Sequence, residues 1–314
     1  MKASLGLPTH RLDRGEEFAS GDAVAGMARA AEAAGFDAVF VTEHPFPGDA
    51  WLTHGGHHAL DPLVALAFAA AATTRLRLQT NLYIAAYRNP FLSAKAVATL
   101  DVLSGGRVIL GVGAGYLEPE FAALGVDFEE RNELTDEALD AMKAAWSGES
   151  VAFDGRHFTV TGNTMLPRPA QRPHPPLWVG GNSRRAIRRA VEHADGWVPM
   201  PNPARSASRR HTPALETLDD LRAGIAYARE HSEAVGREAP LDVVFMPLGV
   251  DMFNAGRPDA DRVVESVAEL AAAGVTWLAV GVPGDTRVEL VDNVVRYGDE
   301  VLTRVRSIEG ATWR

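Results

Sequence analysis

Ala98-Thr99-Leu100-Asp101-Val102-Leu103-Ser104-Gly105-Gly106-Arg107-Val108-Ile109-Leu110-Gly111-Val112-Gly113 contains the end of a helix, a tight stop and a whole buried strand. Pro90–Leu103 has helical apolar spacing, Ser104-Gly105-Gly106 ends it, and Arg107–Val112 is a nearly continuous apolar run. A strand apolar on both faces belongs inside a parallel sheet covered by helices. This helix–stop–strand unit sets the pattern for the rest of the chain.

The same alternation extends in both directions. Upstream lie the strand Lys2–Leu7, the helix Asp22–Ala34 stopped by Gly35, and the strand Asp37–Thr42. The alanine-rich helix Asp61–Thr73 and the strand Leu76–Leu82 follow. Downstream, Glu118–Trp146 reads as one long helical region. Val151–Thr161 reads as a small β-hairpin turning at Asp154-Gly155. Leu177–Val179, Gly196–Met200, Leu241–Val250 and Thr276–Val282 complete the strands. Their helices are Ser183–His193, Leu215–Val235, Asp259–Ala273 and Thr286–Val305. Pro201–Pro213 is polar and proline-bearing, which marks a loop. Eight strand–helix pairs in strict order predict a (β/α)8 TIM barrel, because an open doubly wound sheet usually stops at five to seven strands. A single domain spanning residues 1–314 is expected, with the hairpin inserted before the fifth strand.

Composition narrows the chemistry. The chain has 314 residues, 46% hydrophobic and 23% charged, with no cysteine. Disulfides, thiolate metal ligands, a cysteine nucleophile and iron–sulfur clusters are therefore excluded. A formal net charge of −10 argues against nucleic-acid binding but leaves room for a local anion site. The apolar run at Met1–Pro8 is too short for a signal peptide, and no stretch has the length of a membrane span. A cytoplasmic protein with a small-molecule substrate, and neither nucleic-acid nor membrane partners, is the expectation.

In such a barrel the active site lies at the C-terminal ends of the strands. Those ends carry Glu43-His44, Asn81-Leu82, Gly113 with Tyr116, and Val179-Gly180-Gly181-Asn182-Ser183-Arg184. The Gly180–Ser183 turn opens a helix, so its N–H groups and positive dipole end suit a phosphate. Arg184, Arg185, Arg188 and Arg189 crowd that helix start, where a bound anion would relieve their repulsion. The turn also reads as an ordinary capped βα connection with solvated arginines. Gly111-Val112-Gly113-Ala114-Gly115 lacks the last glycine of a dinucleotide fingerprint, and its glycines better suit backbone lying beside a flat ring. His44 is either a donor into the cavity, tuned by Glu43, or a structural histidine. Tyr116 is either a substrate-orienting or a packing residue. His54-Gly55-Gly56-His57-His58 fits no metal-ligand spacing, and no metal is expected.

Taken together these residues resemble the luciferase-like monooxygenase superfamily. Residues 98–113 reproduce the ATLDxLSGGRxxLGVG part of its ATLDxLSGGRxxLGVGxG pattern. Gly35-Phe36-Asp37 to Glu43-His44, and Pro176–Gly181 through Ala194–Trp197, also match. The resemblance implies a bacterial-luciferase-like barrel and a homodimer. It further implies the branch using the deazaflavin coenzyme F420, with a non-prolyl cis peptide at Asn81–Leu82 against the coenzyme ring. On that basis Glu43, Asn81, Leu82, Gly113, Val179, Gly180, Gly181, Asn182, Ser183 and Arg184 are assigned to the coenzyme, and His44 and Tyr116 to catalysis. Two departures stand out. Tyr116 occupies the place of an acidic residue, and Gly48 that of an aromatic, with Trp51 as a candidate substitute, so a sugar-phosphate substrate is disfavoured. The implied reaction is hydride transfer to or from an unidentified organic substrate. Rival readings are an FMN-dependent monooxygenase served by a separate reductase, and a non-catalytic flavin-binding barrel. A metal-dependent barrel hydrolase is disfavoured, because the first strand ends in a single histidine, His10.

Overall fold

The computed structural model describes residues 1–247, 259–308, 310 and 313. Its strands are β1 (Lys2–Gly6), β2 (Ala38–Val41), β3 (Arg77–Thr80), β4 (Tyr83–Ile84), β5 (Val108–Gly113), β6 (Val151–Asp154), β7 (Thr159–Asn163), β8 (Leu177–Gly180), β9 (Gly196–Val198), β10 (Asp242–Phe245) and β11 (Trp277–Val280). Sheet order runs β3-β2-β1-β11-β10-β9-β8-β5-β4, and a further β3–β5 pairing closes the ring. Each recorded barrel pairing is parallel. β4 continues the third barrel strand beyond an interruption at Asn81–Leu82, so eight strands form the closed barrel. β6 and β7 form the separate antiparallel hairpin before β8.

The period-two alternation of a strand explains why both faces read as apolar. Leu5, Val39, Leu78, Leu110, Val179, Val243 and Leu278 point outward into the layer shared with the helices. Ala38, Ile109, Trp178, Val198, Val244, Trp277 and Ala279 form a second cluster that fills the barrel. Ser4 and Gln79 share a hydrogen bond of 2.8 Å, both fully buried. The interior is a packed core and not a channel, so chemistry is confined to the mouth.

The decisive sequence stretch is a stitching device. The stop after helix Pro90–Leu103 has Gly105 and Gly106 at φ 69° and 84°. Asp101 is fully buried and accepts from Val108 N at 3.3 Å and from Gln171 N and Nε2 at 2.9 and 2.7 Å. Arg107 donates to the carbonyls of Ser104, Leu76 and Ala70 at 2.6, 2.9 and 2.8 Å. This motif therefore anchors the ends of the strands opposite the mouth.

Some boundaries differ from expectation. The region Glu118–Trp146 is two helices, Glu118–Ala123 and Arg131–Trp146, because Gly125 turns at φ 73° between them. The last helix runs Arg287–Tyr297 and widens into a π-turn over Gly298–Leu302. The polar Pro201–Pro213 loop holds a single helical turn, Ala204–Ala207. The seventh strand is Asp242–Phe245, and the last residues assigned to it from the sequence lie outside the described residues.

Gly111 is where the barrel tolerates least change. A Cβ there would lie 2.2 Å from the Thr80 carbonyl oxygen, which is backbone of the paired strand and cannot swing aside. Gly111→Ala is expected to destabilise the fold by roughly 2–3 kcal/mol. Urea denaturation should show a lower midpoint with an unchanged slope.

Candidate active site

The mouth is organised by the interruption in the third strand. The Asn81–Leu82 peptide is cis, as the resemblance implied. Leu82 enters a space left by glycines on two neighbouring strands. A Cβ on Gly180 would lie 2.1 Å from its Cδ1, and one on Gly113 would lie 3.1 Å from it. These glycines therefore make room for Leu82 itself. Asn81 and Leu82 remain half-buried at the surface of the mouth.

Two buried carboxylates hold this arrangement. Glu43, 4% exposed, accepts from Ile84 N at 2.6 Å and pairs with Arg88, whose guanidinium lies 4.5 Å from the Tyr83 ring centroid. It thus secures the strand beyond the cis bond, and it is Glu120 that hydrogen-bonds His44. Glu120, 1% exposed, meets His44 Nδ1 at 3.4 Å through Oε2. The same oxygen accepts from the Tyr87 hydroxyl at 2.8 Å, and Oε1 accepts from Phe46 N at 2.9 Å. Burial opposes ionisation of Glu120, but these donors hold it below the ordinary carboxylate range. Sequence reasoning missed Glu120; its only signal was an acidic residue at the start of a short helix.

His44 is buried beneath an aromatic cluster. Trp51 lies 4.5 Å from it between ring centroids, His57 4.9 Å and Tyr116 6.1 Å. Trp51 thus stands beside the histidine, although the sequence position first compared for an aromatic is Gly48. Burial chiefly raises the Tyr116 hydroxyl pKa, with Arg210 and Arg209 opposing and Glu120 adding to the rise. Tyr116 therefore stays protonated at neutral pH and able to donate a hydrogen bond. Among the described residues, no group of three histidine or carboxylate side chains is arranged to hold a metal ion.

The turn after β8 is partly redirected from its sequence reading. Ser183 caps the helix Arg184–His193, its Oγ accepting from Ala186 N at 3.1 Å. Gly181 has φ 115°. The Asn182 side chain is engaged by Met200 and Pro213, donating to their carbonyls at 2.9 and 3.0 Å, and its own N–H donates to Thr212 Oγ1 at 2.9 Å. Asn182 is thus a tie to the following loop. Val179 is 1% exposed in the outer core, so its side chain has no access to a ligand.

Arg184 has a partner within the protein. Its guanidinium lies 5.0 Å from the Tyr227 ring centroid on the neighbouring helix Leu218–Ala234, and Arg188 donates to that tyrosine's hydroxyl at 3.1 Å. Arg185 pairs with Glu133 and Asp136 at 3.0 and 2.9 Å, and Arg189 pairs with Asp136. Carboxylates of the helix Arg131–Trp146 therefore offset the charge that a bound anion was expected to relieve. The first backbone N–H groups of a helix have no intrahelical acceptor, and here Ser183 Oγ takes up that of Ala186.

The family model for the luciferase-like monooxygenases matches residues 1–270, and the chain belongs to that family. It is 32% identical to an F420-dependent glucose-6-phosphate dehydrogenase from Beutenbergia cavernae, over 94% of this chain and 96% of the relative. It is similar in fold to the F420-dependent tetrahydromethanopterin reductase of Methanopyrus kandleri, with a TM-score of 0.73 at 18% identity, covering 96% of this chain and 98% of that one. The FMN-bound oxygenating component of a 3,6-diketocamphane monooxygenase from Pseudomonas putida gives a TM-score of 0.76 at 16% identity, covering 99% of each chain. The barrel is therefore shared by proteins using either coenzyme.

The sign of the Glu120 effect follows from its depressed pKa. Its stabilisation is complete above the ordinary carboxylate pKa and fades as pH falls through that value and the lower folded one. Glu120→Gln is expected to lose roughly 2 kcal/mol at neutral pH, since it weakens hydrogen bonds made to a charged acceptor. Thermal melts of variant and parent should converge in acid, the gap opening as pH rises.

Proposed function

We propose that this chain is an oxidoreductase that transfers hydride between coenzyme F420 and a small organic substrate at the barrel mouth. The carrying observation is the convergence there of the half-buried Asn81–Leu82 platform, the capped start of helix Arg184–His193, and His44 on its Glu120 partner. The relationship to the F420-dependent dehydrogenase favours this coenzyme over FMN. The residues fit the group: a flat apolar support for a ring lies beside a helix start suited to an anionic tail.

When bound, the deazaflavin supplies the carbon that gives or takes hydride; the protein contributes position and protons. Leu82, seated against Gly113 and Gly180, supports the ring. The first-turn N–H groups beyond Ser183, approached across Gly181, receive the anion. His44 donates or accepts a proton at its Nε2 edge, with Nδ1 held by Glu120, and Tyr116 orients the substrate through its hydroxyl.

The same reading takes residues 1–314 as one domain acting as a cytoplasmic homodimer. Support for the dimer comes from Pro62–Ala72, a helix without a polar residue. Its Val64 and Phe68 are 60% and 51% exposed, and Leu92 on the next helix is 70% exposed. A helix apolar all round is ordinarily covered.

Fluorescence titration tests the coenzyme assignment directly: F420 is expected to bind more tightly than FMN, and a preference for FMN overturns it. Arg184→Gln is expected to leave F420 affinity within about twofold, because that side chain packs on Tyr227. His44→Ala is expected to lower single-turnover hydride transfer by ~100-fold while coenzyme affinity changes only a few fold. Normal turnover in that variant would make His44 structural.

A further inference from the structure

The carboxylate that faces His44 is held in place by other groups. Glu120 Oε2 lies 3.4 Å from His44 Nδ1, beyond the usual range of a strong N–H···O bond. The same oxygen accepts from the Tyr87 hydroxyl at 2.8 Å, and Oε1 accepts from Phe46 N at 2.9 Å. The two short bonds take one oxygen each, so together they fix the place and the plane of the carboxylate. The contact with His44 depends on them. Phe46 belongs to the same segment as His44, whereas Tyr87 ties the pair to the barrel. Burial of Glu120 leaves little room for water to replace either donor.

The surroundings of Tyr87 fix the direction of its bond. It ends the single helical turn Ala85–Tyr87, just beyond β4, and is buried. Its ring meets Phe121 edge-on at 4.7 Å between centroids, and Phe121 follows Glu120 on the helix Glu118–Ala123. Ring and hydroxyl therefore grip consecutive residues of that helix. Burial chiefly, with the Glu120 charge adding, pushes the hydroxyl pKa far above the ordinary tyrosine range, so the group stays protonated and donates. The next residue, Arg88, pairs with Glu43. Consecutive residues beyond the cis bond thus serve both buried carboxylates of the mouth.

The consequence is read at the histidine. The donors around Glu120 keep it ionised at neutral pH, and an ionised carboxylate only accepts. A neutral His44 facing it therefore carries its proton on Nδ1, which leaves Nε2 with a lone pair. A neutral imidazole in water prefers the opposite tautomer, with the proton on Nε2. A carboxylate turned away from Nδ1 would return the ring to that preference. The tautomer of His44 thus depends on the orientation of Glu120, and that orientation on the Tyr87 hydroxyl.

We infer that Tyr87 is a positioning residue, whose hydroxyl holds Glu120 in the orientation that keeps the His44 proton on Nδ1 and leaves Nε2 open to a substrate proton. This inference rests on the proposed reading of His44 as the group that transfers a proton. Its test needs neither coenzyme nor substrate. The full-length protein is prepared with isotopically labelled histidine, and nitrogen–proton correlation spectra are recorded at about pH 9, above the ordinary histidine range. The His44 signals are identified by their loss in His44→Gln. In the parent the Nδ1–H form is expected to exceed the Nε2–H form by at least about tenfold, as a hydrogen bond to a charged acceptor allows. Tyr87→Phe removes one oxygen and keeps the ring, and it is expected to lower that ratio at least about threefold with the circular dichroism unchanged. Tyr87→Leu serves as a second hydroxyl-free variant should the first not fold. A parent with the proton chiefly on Nε2, or a folded hydroxyl-free variant with the parent's ratio, overturns the inference. Failure of F420 to bind the parent, with the tautomer change intact, would remove only the coenzyme assignment.

Discussion

Close approach of the third barrel strand to its neighbours is the constraint on which the mouth depends. The Thr80 carbonyl and the Leu82 side chain occupy space that Gly111, Gly113 and Gly180 leave by having no Cβ. At protein packing density that space is either filled by this strand or lost to any side chain in its place. With the strand seated, Ile84 N reaches Glu43 and the Tyr87 hydroxyl reaches Glu120. The two carboxylates then fix Arg88 and His44. Platform and histidine are consequences of one packing event.

Both carboxylates illustrate why buried charge is kept at a site. Each is almost fully removed from water, and each is surrounded by donors from separate segments of the chain. Burying an unpaired carboxylate would be prohibitive, so the donors and the acid specify each other's position. The arginine-rich helix after β8 follows the same logic. Its cations are satisfied by Glu133, Asp136 and the Tyr227 ring.

Much of the architecture was legible along the chain because it depends on local pattern. Apolar runs of strand length, the helix stop at Gly35 and the capped helix start after Gly180–Ser183 stand where the sequence implied. The hairpin also stands where Asp154-Gly155 suggested, with Val151 to Asp154 paired against Thr159 to Asn163. Family resemblance carried the expectation of the cis peptide at Asn81–Leu82, which no local propensity would indicate.

What the sequence by itself determined was the order of elements and the shortlist of residues at the strand ends, since both follow from periodicity and chain order. Only the tertiary structure decided which of those residues share a contact. Glu43 lies next to His44 in sequence, yet alternate side chains of an extended backbone face opposite ways. The histidine's partner is Glu120, 76 positions away. Asn182, Val179 and Arg184 lie at the right turn, but the loop, the outer core and a neighbouring helix claim their side chains. His10 and His57, which no motif joined, meet because barrel closure and the fold-back at Gly56 bring a strand end and a loop to the same mouth. Side-chain direction and long-range packing are properties of the closed barrel, and they assemble this site.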